Sequence, residues 1–387
     1  MRSCSTRAAQ YTGDRCMYCA KGFYRVNGSC VKCPDSPWAV VIVFLLGAMA
    51  ALFVAHLLNS KNVNLALISI GTDWAQVVAM FVRTRIAWPA VLQQIFLLLS
   101  AFNFNLELIA PECAIPSVTF SGKWLFVEGM PIFAWSCLLL IFTLRLGFKL
   151  CLGVDKQHRY THINSLVATG IVVQRVLYLY MTRSTLDVFN CAPSNPPDYD
   201  TSGKQIQYMA WNLDIVCNAP GGVHLFLLPF AAFALAIYVV GLPVISLFFM
   251  WRNKEVIKYD QILRAQLTGD DKATNPHLAF RKTWKALYMN YRPGSWYWEF
   301  VICVRKFLIA FCSLMFRDTP SFQLAMALLV LFIAYVLQVR TLPYLSHARA
   351  VETFREHMQP AFVERLDAWT LAEQSGMPLP PIMRSEE

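Results

Sequence analysis

The stretch Trp38 to Leu58, WAVVIVFLLGAMAALFVAHLL, carries no Lys, Arg, Asp or Glu. As a helix rising 1.5 Å per residue it is roughly 30 Å long, the thickness of a bilayer core. Similar runs recur at 123–147, 166–184, 222–250, 297–316 and 321–339. A harder stretch lies between them. It reads as two helical pieces, 63–82 and 88–108, broken at RTRIAWP. In water such runs would leave no polar face to solvate, so they specify helices in lipid. Composition agrees: 56% of residues are hydrophobic and only 15% charged, where a soluble chain carries about a quarter charged. The expected fold class is all-α, a multi-pass transmembrane helical bundle of about seven spans, with a small disulfide-rich N-terminal module. Three regions follow: residues 1–36, 37–345 and 346–387.

The lipid bilayer is therefore the first expected partner. The net charge of +10 points to cytoplasmic loops and not to nucleic acid, because Lys and Arg gather on the cytoplasmic side. The connection 251–295 holds nine of them, and 148–165 holds Lys149, Lys156 and Arg159. By contrast 185–221 holds only Lys204, against Asp187, Asp198, Asp200 and Asp214. The first two connections are expected inside and the third outside or lumenal, where its aspartates could gather cations. Counting back puts the N-terminus outside and the C-terminus in the cytoplasm, provided 63–110 crosses once. One of its pieces is then re-entrant or interfacial.

The outside placement bears on CMYCAKGFYRVNGSCVKC, Cys16 to Cys33. Two Cys-x-x-Cys pairs at this spacing suit either a zinc ribbon or a disulfide module. Lumenal thiols oxidise, so Cys16, Cys19, Cys30 and Cys33 are expected in disulfides, with connectivity open and Cys4 left over. Asn27-Gly28-Ser29 inside the module is a glycosylation sequon. Six basic residues in 1–36 pull against this placement. No apolar signal segment precedes the module either, which suggests that the chain continues upstream of Met1. In the acidic loop, Cys191 and Cys217 flank two helix ends and are expected to pair, with Cys113 as the competing partner.

These residues support a resemblance. GFYRVNGSCVKCP resembles the ephrin-receptor-like or EGF-like cysteine repeats of large protist and algal surface proteins. AWPAVLQQIFLLLSAFNFNLELIAPEC, FNC at Phe189 to Cys191, CNAPGGVHLFLLPFAAFALAIYVVGLPV, NYRPGSWYWEFVICVRKFLIAF and LQVRTLPYL resemble the TRP-like (transient receptor potential-like) C-terminal transmembrane region. In order, they cover roughly residues 36 to 345. The resemblance implies a cation channel, transporter or sensory membrane component. The chain departs from that pattern at SGMPLPPIMRSEE, where relatives continue with further hydrophobic helices.

No enzyme constellation stands out: no His-Glu-x-x-His or Gly-x-Ser-x-Gly occurs, and no cofactor or metal site is expected. Basic and aromatic residues mix over Arg281 to Trp298. Arg281, Lys282, Lys285, Arg292, Trp296 and Trp298 are expected at the lipid interface, with anionic lipid as a candidate ligand. The tail HARAVETFREHMQPAFVERLDAWTLAEQ reads as a solvated cytoplasmic helix pair. Four ionisable residues fall inside expected spans: Glu128, Arg175, Arg305 and Lys306. A charge at that depth costs at least about 2.5 kcal/mol unless paired or wet. Arg175 and Arg305 are expected to face the bundle interior, with Glu128 or Asp73 as counter-charges, while Lys306 can snorkel. Glu299 lies too far along the helix from Lys306 to pair with it. A seven-span receptor and a membrane anchor for a larger extracellular protein are the competing readings. A homo-oligomer is compatible with all three.

Overall fold

The computed structural model describes residues 10–12, 18–26, 29–60, 66–81, 88–100, 111–115, 118–151, 158–194, 197–210, 212, 214–316, 319–344, 347–358 and 360–375. Cys4, Cys16 and Asn27 lie outside the described residues, so the expectations placed on them do too.

The N-terminal module is a pair of short antiparallel hairpins. Strand β1 (Tyr11–Thr12) pairs with β2 (Tyr18–Cys19), and β3 (Phe23–Val26) pairs with β4 (Ser29–Lys32). Cys19 and Cys30 join the two hairpins in a disulfide. So small a module has almost no hydrophobic core, and a covalent staple takes its place.

Helices follow. They are α1 (Pro37–Ser60), α2 (Ala66–Met80), α3 (Ala90–Ser100), the single turn α4 (Pro111–Ala114), α5 (Phe120–Cys151) and α6 (His158–Phe189). A small hairpin, β5 (Cys191–Pro193) with β6 (Gln207–Met209), fills the next connection. Then come α7 (Val223–Ala234), a π-helical segment Leu235–Gly241, α8 (Leu242–Arg252), α9 (Lys254–Ala265) and α10 (Leu278–Tyr288). The last described elements are α11 (Trp298–Met315), α12 (Pro320–Thr341), α13 (His347–Phe354) and α14 (Pro360–Ser375).

Among the described residues, four stretches are long and apolar enough to cross a membrane: Phe120–Leu144, Ile163–Phe189, Val223–Arg252 and Pro320–Thr341. Their exposed faces identify the solvent. On α12 the buried residues include Gln323 and Ala327, while Leu328, Phe332 and Tyr335 are exposed. Phe233 and Phe248 point outward in the same way from α7 and α8. Water would penalise so many exposed large apolar side chains, and lipid does not. The protein is an integral membrane protein.

Helix direction is fixed by contacts at the two ends. At one end Trp124 Nε1 donates to the Ser184 carbonyl (3.0 Å) and Asn190 Nδ2 to the Leu314 carbonyl (2.7 Å). The start of α5, the end of α6 and the end of α11 therefore lie together. Val40, Val41 and Phe44 of α1 pack there against Val127 and Tyr180. Helix α2 runs parallel to α11: its Asp73 meets Lys306, and its Val77 and Met80 join Ile309, Ala310 and Leu314 further along. The disulfides Cys33–Cys113 and Cys191–Cys217 cap this same end. The opposite end carries α9, α10, α13 and α14.

A proline at the start of α8 has a local consequence. Pro243 lacks the N–H that an α-helix would offer to the Val239 carbonyl four residues back. Tyr178 Oη on α6 donates to that carbonyl instead, at 3.1 Å. The π-helical turn leads into this break, and at Gly241 a Cβ would lie 2.7 Å from the Ala236 carbonyl oxygen. Between α5 and α6, Gly170 permits a close approach: a Cβ there would sit 2.2 Å from the Trp135 ring.

The tail corrects its expectation as a solvated end. Val351, Phe354, Met358 and Phe362 are buried with Ala265 in one apolar cluster, with Ile262 packed against it. Val351 and Phe354 stand three residues apart on one face of α13, Met358 follows that helix and Phe362 begins α14, and burying these side chains against α9 is what holds the tail to the bundle.

Candidate functional site

Helices α2, α6 and α11 converge on a group of charges. Arg175 stands on α6, 12 residues after Ile163 and 14 before Phe189, which is roughly 18 and 21 Å from the two ends of the stretch. Its Nε lies 2.7 Å from Glu299 Oε1 on α11, and its Nη2 lies 3.8 Å from Asp73 Oδ2 on α2. Lys306 Nζ donates to Asp73 Oδ1 at 2.6 Å and to Gln76 Oε1 at 3.1 Å. Tyr291 Oη donates to Glu299 Oε2 at 2.7 Å, and Arg175 Nη2 donates to Tyr291 Oη at 3.2 Å. Arg175 Nη1 also donates to the Ala286 carbonyl, and Gln76 Nε2 to the Val176 carbonyl.

The arrangement follows from helical spacing. Glu299, Ile302, Lys306 and Ile309 recur every three or four residues and form one buried stripe on α11. Asp73 and Gln76 stand one turn apart on α2 and face it. Two acids and two bases make the cluster neutral. Each charge has a partner of opposite sign, which is the condition for keeping ionised groups inside a bundle. Such a network has two chemical capacities. It can hold three helices in one register, and it can change register when one member gains or loses charge.

The structure places the expected charges differently from one another. Asp73 is the counter-charge of both Arg175 and Lys306. Lys306 is 1% exposed and does not snorkel. Glu299 does not pair with Lys306, but does pair with Arg175, across helices. Glu128 is no counter-charge to either: it lies between α5 and α6 and accepts from Thr185 Oγ1 at 3.1 Å. Arg305 is half-buried, and its Nε is a buried atom without a hydrogen-bond partner. Gln76 and Tyr291 were missed by sequence reasoning. Gln76 was findable, three residues after Asp73 on a helical face; Tyr291 precedes its helix and carried no signal.

Among the six residues expected at a lipid interface, Arg281, Lys285 and Trp298 are buried. An interfacial anchor must reach headgroups, and these side chains turn inward instead. Arg281 Nε lies 2.5 Å from Asp260 Oδ1, and its Nη1 lies 2.9 Å from Asp270 Oδ1. Asp260 also accepts from Asn275 Nδ2 (3.0 Å) and Tyr288 Oη (2.9 Å). Burial pushes the Tyr288 hydroxyl well above its ordinary range, with the Asp260 charge adding to the effect. Gln261 Nε2 donates to the Tyr291 carbonyl at 2.5 Å, so this second network ties α9 and α10 to the segment entering α11. Lys282, Arg292 and Trp296 are half-buried. The Arg292 N–H donates to the Pro343 carbonyl at 2.7 Å.

Cysteine placement is specific. Cys19 pairs with Cys30, Cys33 with Cys113, and Cys191 with Cys217. The expected competition of Cys113 for the acidic loop resolves toward the module instead. With Cys19, Cys30 and Cys33 in disulfides, the four-thiolate zinc arrangement does not form. In the acidic loop, Asp187 lies 4.0 Å from Arg183 Nε, and Asp198 accepts from Tyr208 Oη at 3.0 Å. Asp200 accepts from the Ser202 and Lys204 N–H groups at 2.8 and 2.9 Å. These aspartates serve the loop's own fold. His224 lies 3.6 Å from Cys191 Sγ and accepts the Asn218 N–H at Nδ1, which puts its own proton on Nε2, facing the Val188 carbonyl.

Comparison with known proteins adds one local likeness. Residues 346–387 match the family described as malonate decarboxylase, alpha subunit, transporter. A 32-residue stretch is 56% identical to an acetyl-S-ACP:malonate ACP transferase of Malonomonas rubra, which is 8% of this chain. The chain covers 6% of that protein's length. No solved structure matches the chain. The family match falls on α13 and α14, away from the charge network.

Proposed function

We propose that the chain is a seven-pass, ion-translocating membrane protein of the TRP-like kind, and not an enzyme. The single observation that carries this reading is the neutral Arg175–Asp73–Glu299–Lys306 network across α2, α6 and α11. Ionisable side chains at membrane depth are costly and concentrate where ions or protons are handled. Lys306 and Glu299 stand on α11, which packs against α6 and α12, so any shift of α11 must break or exchange these pairs. That makes the network a gate latch: charge entering the bundle competes for Asp73 or Glu299 and frees the helix. Seven passes, by α1, α2, α5, α6, the α7–α8 unit, α11 and α12, are supported by the alternation of helix directions. With α3 only 11 residues long, it is the re-entrant piece. The clustering of disulfides at one end supports an outside or lumenal N-terminus, because thiols oxidise there. Cations and anionic lipid are the proposed partners.

A sensory role is favoured by one further observation. Cys33–Cys113 covalently joins the N-terminal module to the segment leading into α5, so a pull on the module reaches the bundle directly.

The test is cation flux in proteoliposomes. Purified wild type should conduct or transport, while Arg175→Gln and Lys306→Met should alter flux at equal incorporation. Absence of flux in wild type under ionic gradients and applied membrane tension would refute translocation. Unchanged flux in both variants would remove the network from the mechanism.

A further inference from the structure

Glu128 poses a different problem from the charge network. It is 8% exposed, on α5, eight residues into the membrane stretch that begins at Phe120, or roughly 12 Å from that end. Its Oε1 accepts one hydroxyl bond, from Thr185. Its Oε2 is buried and has no hydrogen-bond partner. An ionised carboxylate offers only acceptors, and leaving one oxygen of it bare in a bundle is costly.

The helix around Glu128 leaves a further acceptor uncovered. Pro131, three residues on, lacks the N–H that would have met the Val127 carbonyl, so this turn has a second acceptor without its helix donor. Across the interface, Thr182 Oγ1 is committed to the Tyr178 carbonyl at 2.7 Å, and Tyr178 Oη to Val239. The groups facing Glu128 can be named by element. Helix α6 offers the Thr185 and Ser184 hydroxyls, and the π-helical segment offers Tyr238. Also on α6, Arg183 and Asp187 stand 4.0 Å from each other, and α7 carries His224, already engaged at both ring nitrogens. Helix α1 covers the region with Val40, Val41 and Phe44. Glu128 makes none of the ion pairs found among the described residues. None of these hydroxyls is within hydrogen-bond distance of Oε2 and no cation among the described residues pairs with the carboxylate, and a single proton on Oε2 answers both.

We propose that Glu128 is a proton-binding site inside the bundle, holding one proton on its carboxyl group. The proton comes from the aqueous phase at the disulfide-capped end, and its binding converts a bare carboxylate into a neutral carboxyl whose O–H can donate. The π-helical turn beside it gives the neighbouring helix a locally wide backbone, a feature frequent at functional positions. The proposal concerns a different helix pair from the charge network and holds whether or not the protein conducts.

The test is covalent trapping of full-length protein in detergent or nanodiscs with dicyclohexylcarbodiimide. This apolar reagent adds across a protonated carboxyl, taking up its hydrogen, and rearranges to a stable N-acylurea. At pH 7 an exposed glutamate of ordinary pKa near 4.3 is protonated in about one copy in 500. Glu128 should therefore carry the adduct on the order of 100-fold more often than exposed glutamates such as Glu255, read by peptide mass spectrometry. Glu128→Gln should lose the adduct and keep its gel-filtration profile. Two results overturn the proposal: no adduct at Glu128 in folded protein while the acid-denatured protein is labelled there, or an adduct suppressed by millimolar sodium, potassium or calcium at fixed pH. The second would assign the site to a metal cation.

Discussion

Replacing Asp73 with Asn removes one negative charge without changing side-chain shape, and it does so at the node of the buried network. Asp73 lies 2.6 Å from Lys306 and 3.8 Å from Arg175. At an effective dielectric of about 20, unit charges at those separations attract by roughly 6 and 4 kcal/mol. Most of that gross attraction repays desolvation of the ions, so the net loss should be about 3–5 kcal/mol, the usual cost of orphaning a buried charge. The orphan is Lys306, 1% exposed, which keeps only neutral acceptors, Gln76 Oε1 and the amide oxygen of the replacement side chain, and no counter-charge. Glu299→Gln should cost less. It severs one ion pair, leaves Arg175 its Asp73 partner, and leaves an amide oxygen that can still accept from Tyr291. The deciding variant is the double Asp73→Asn, Lys306→Met, which removes both charges of one pair and restores neutrality. It should recover most of the loss, with a coupling energy of up to about 3 kcal/mol. The assay is folded fraction against denaturing detergent, followed by tryptophan fluorescence. The reasoning is refuted if Asp73→Asn changes stability by less than about 0.5 kcal/mol, a typical surface-substitution effect, or if Lys306→Met adds its own loss to it.

Other consequences follow from particular contacts. Tyr178→Phe leaves the Val239 carbonyl without its donor and should destabilise by about 0.6–1.7 kcal/mol, the range for interhelical bonds in membranes, with faster amide exchange beside Pro243 as the local signature. Phe354→Ala should cost about 3–5 kcal/mol of tail docking, seen as rapid proteolysis of α13 and α14 with the bundle intact. Non-reducing peptide mapping should recover Cys33 linked to Cys113; Cys113→Ser opens a loop spanning 80 residues and should cost about 2–5 kcal/mol. Lys285 is held below the ordinary lysine range by burial and by the Arg281, Lys282 and Arg264 charges. A lysine depressed in the folded state takes up its proton more readily when unfolded, so folding stability rises with pH through that range. Lys285→Met should therefore stabilise at neutral pH, and its advantage should shrink as pH rises toward 10.

Membrane residence was legible in the sequence because it rests on local quantities. An uncharged run such as Trp38 to Leu58 is long enough to cross lipid whatever surrounds it. The Cys191–Cys217 pair was legible for the same reason, since both residues flank helix ends in one short loop. Partner choice was a different matter. Which cation Asp73 meets depends on how α2, α6 and α11 are rotated, and residues 73, 175 and 306 are too distant in sequence for spacing to fix that. Arg281 shows the limit most clearly. Basic and aromatic neighbours at a membrane edge favour an exposed anchor on composition alone, yet Asp260 lies 21 residues earlier on α9 and draws the side chain inward. Lys306 and Arg305 are adjacent in the chain and equally charged. The rotation of a single residue step along the helix, about 100°, makes the first a buried member of the network and leaves the second at its margin.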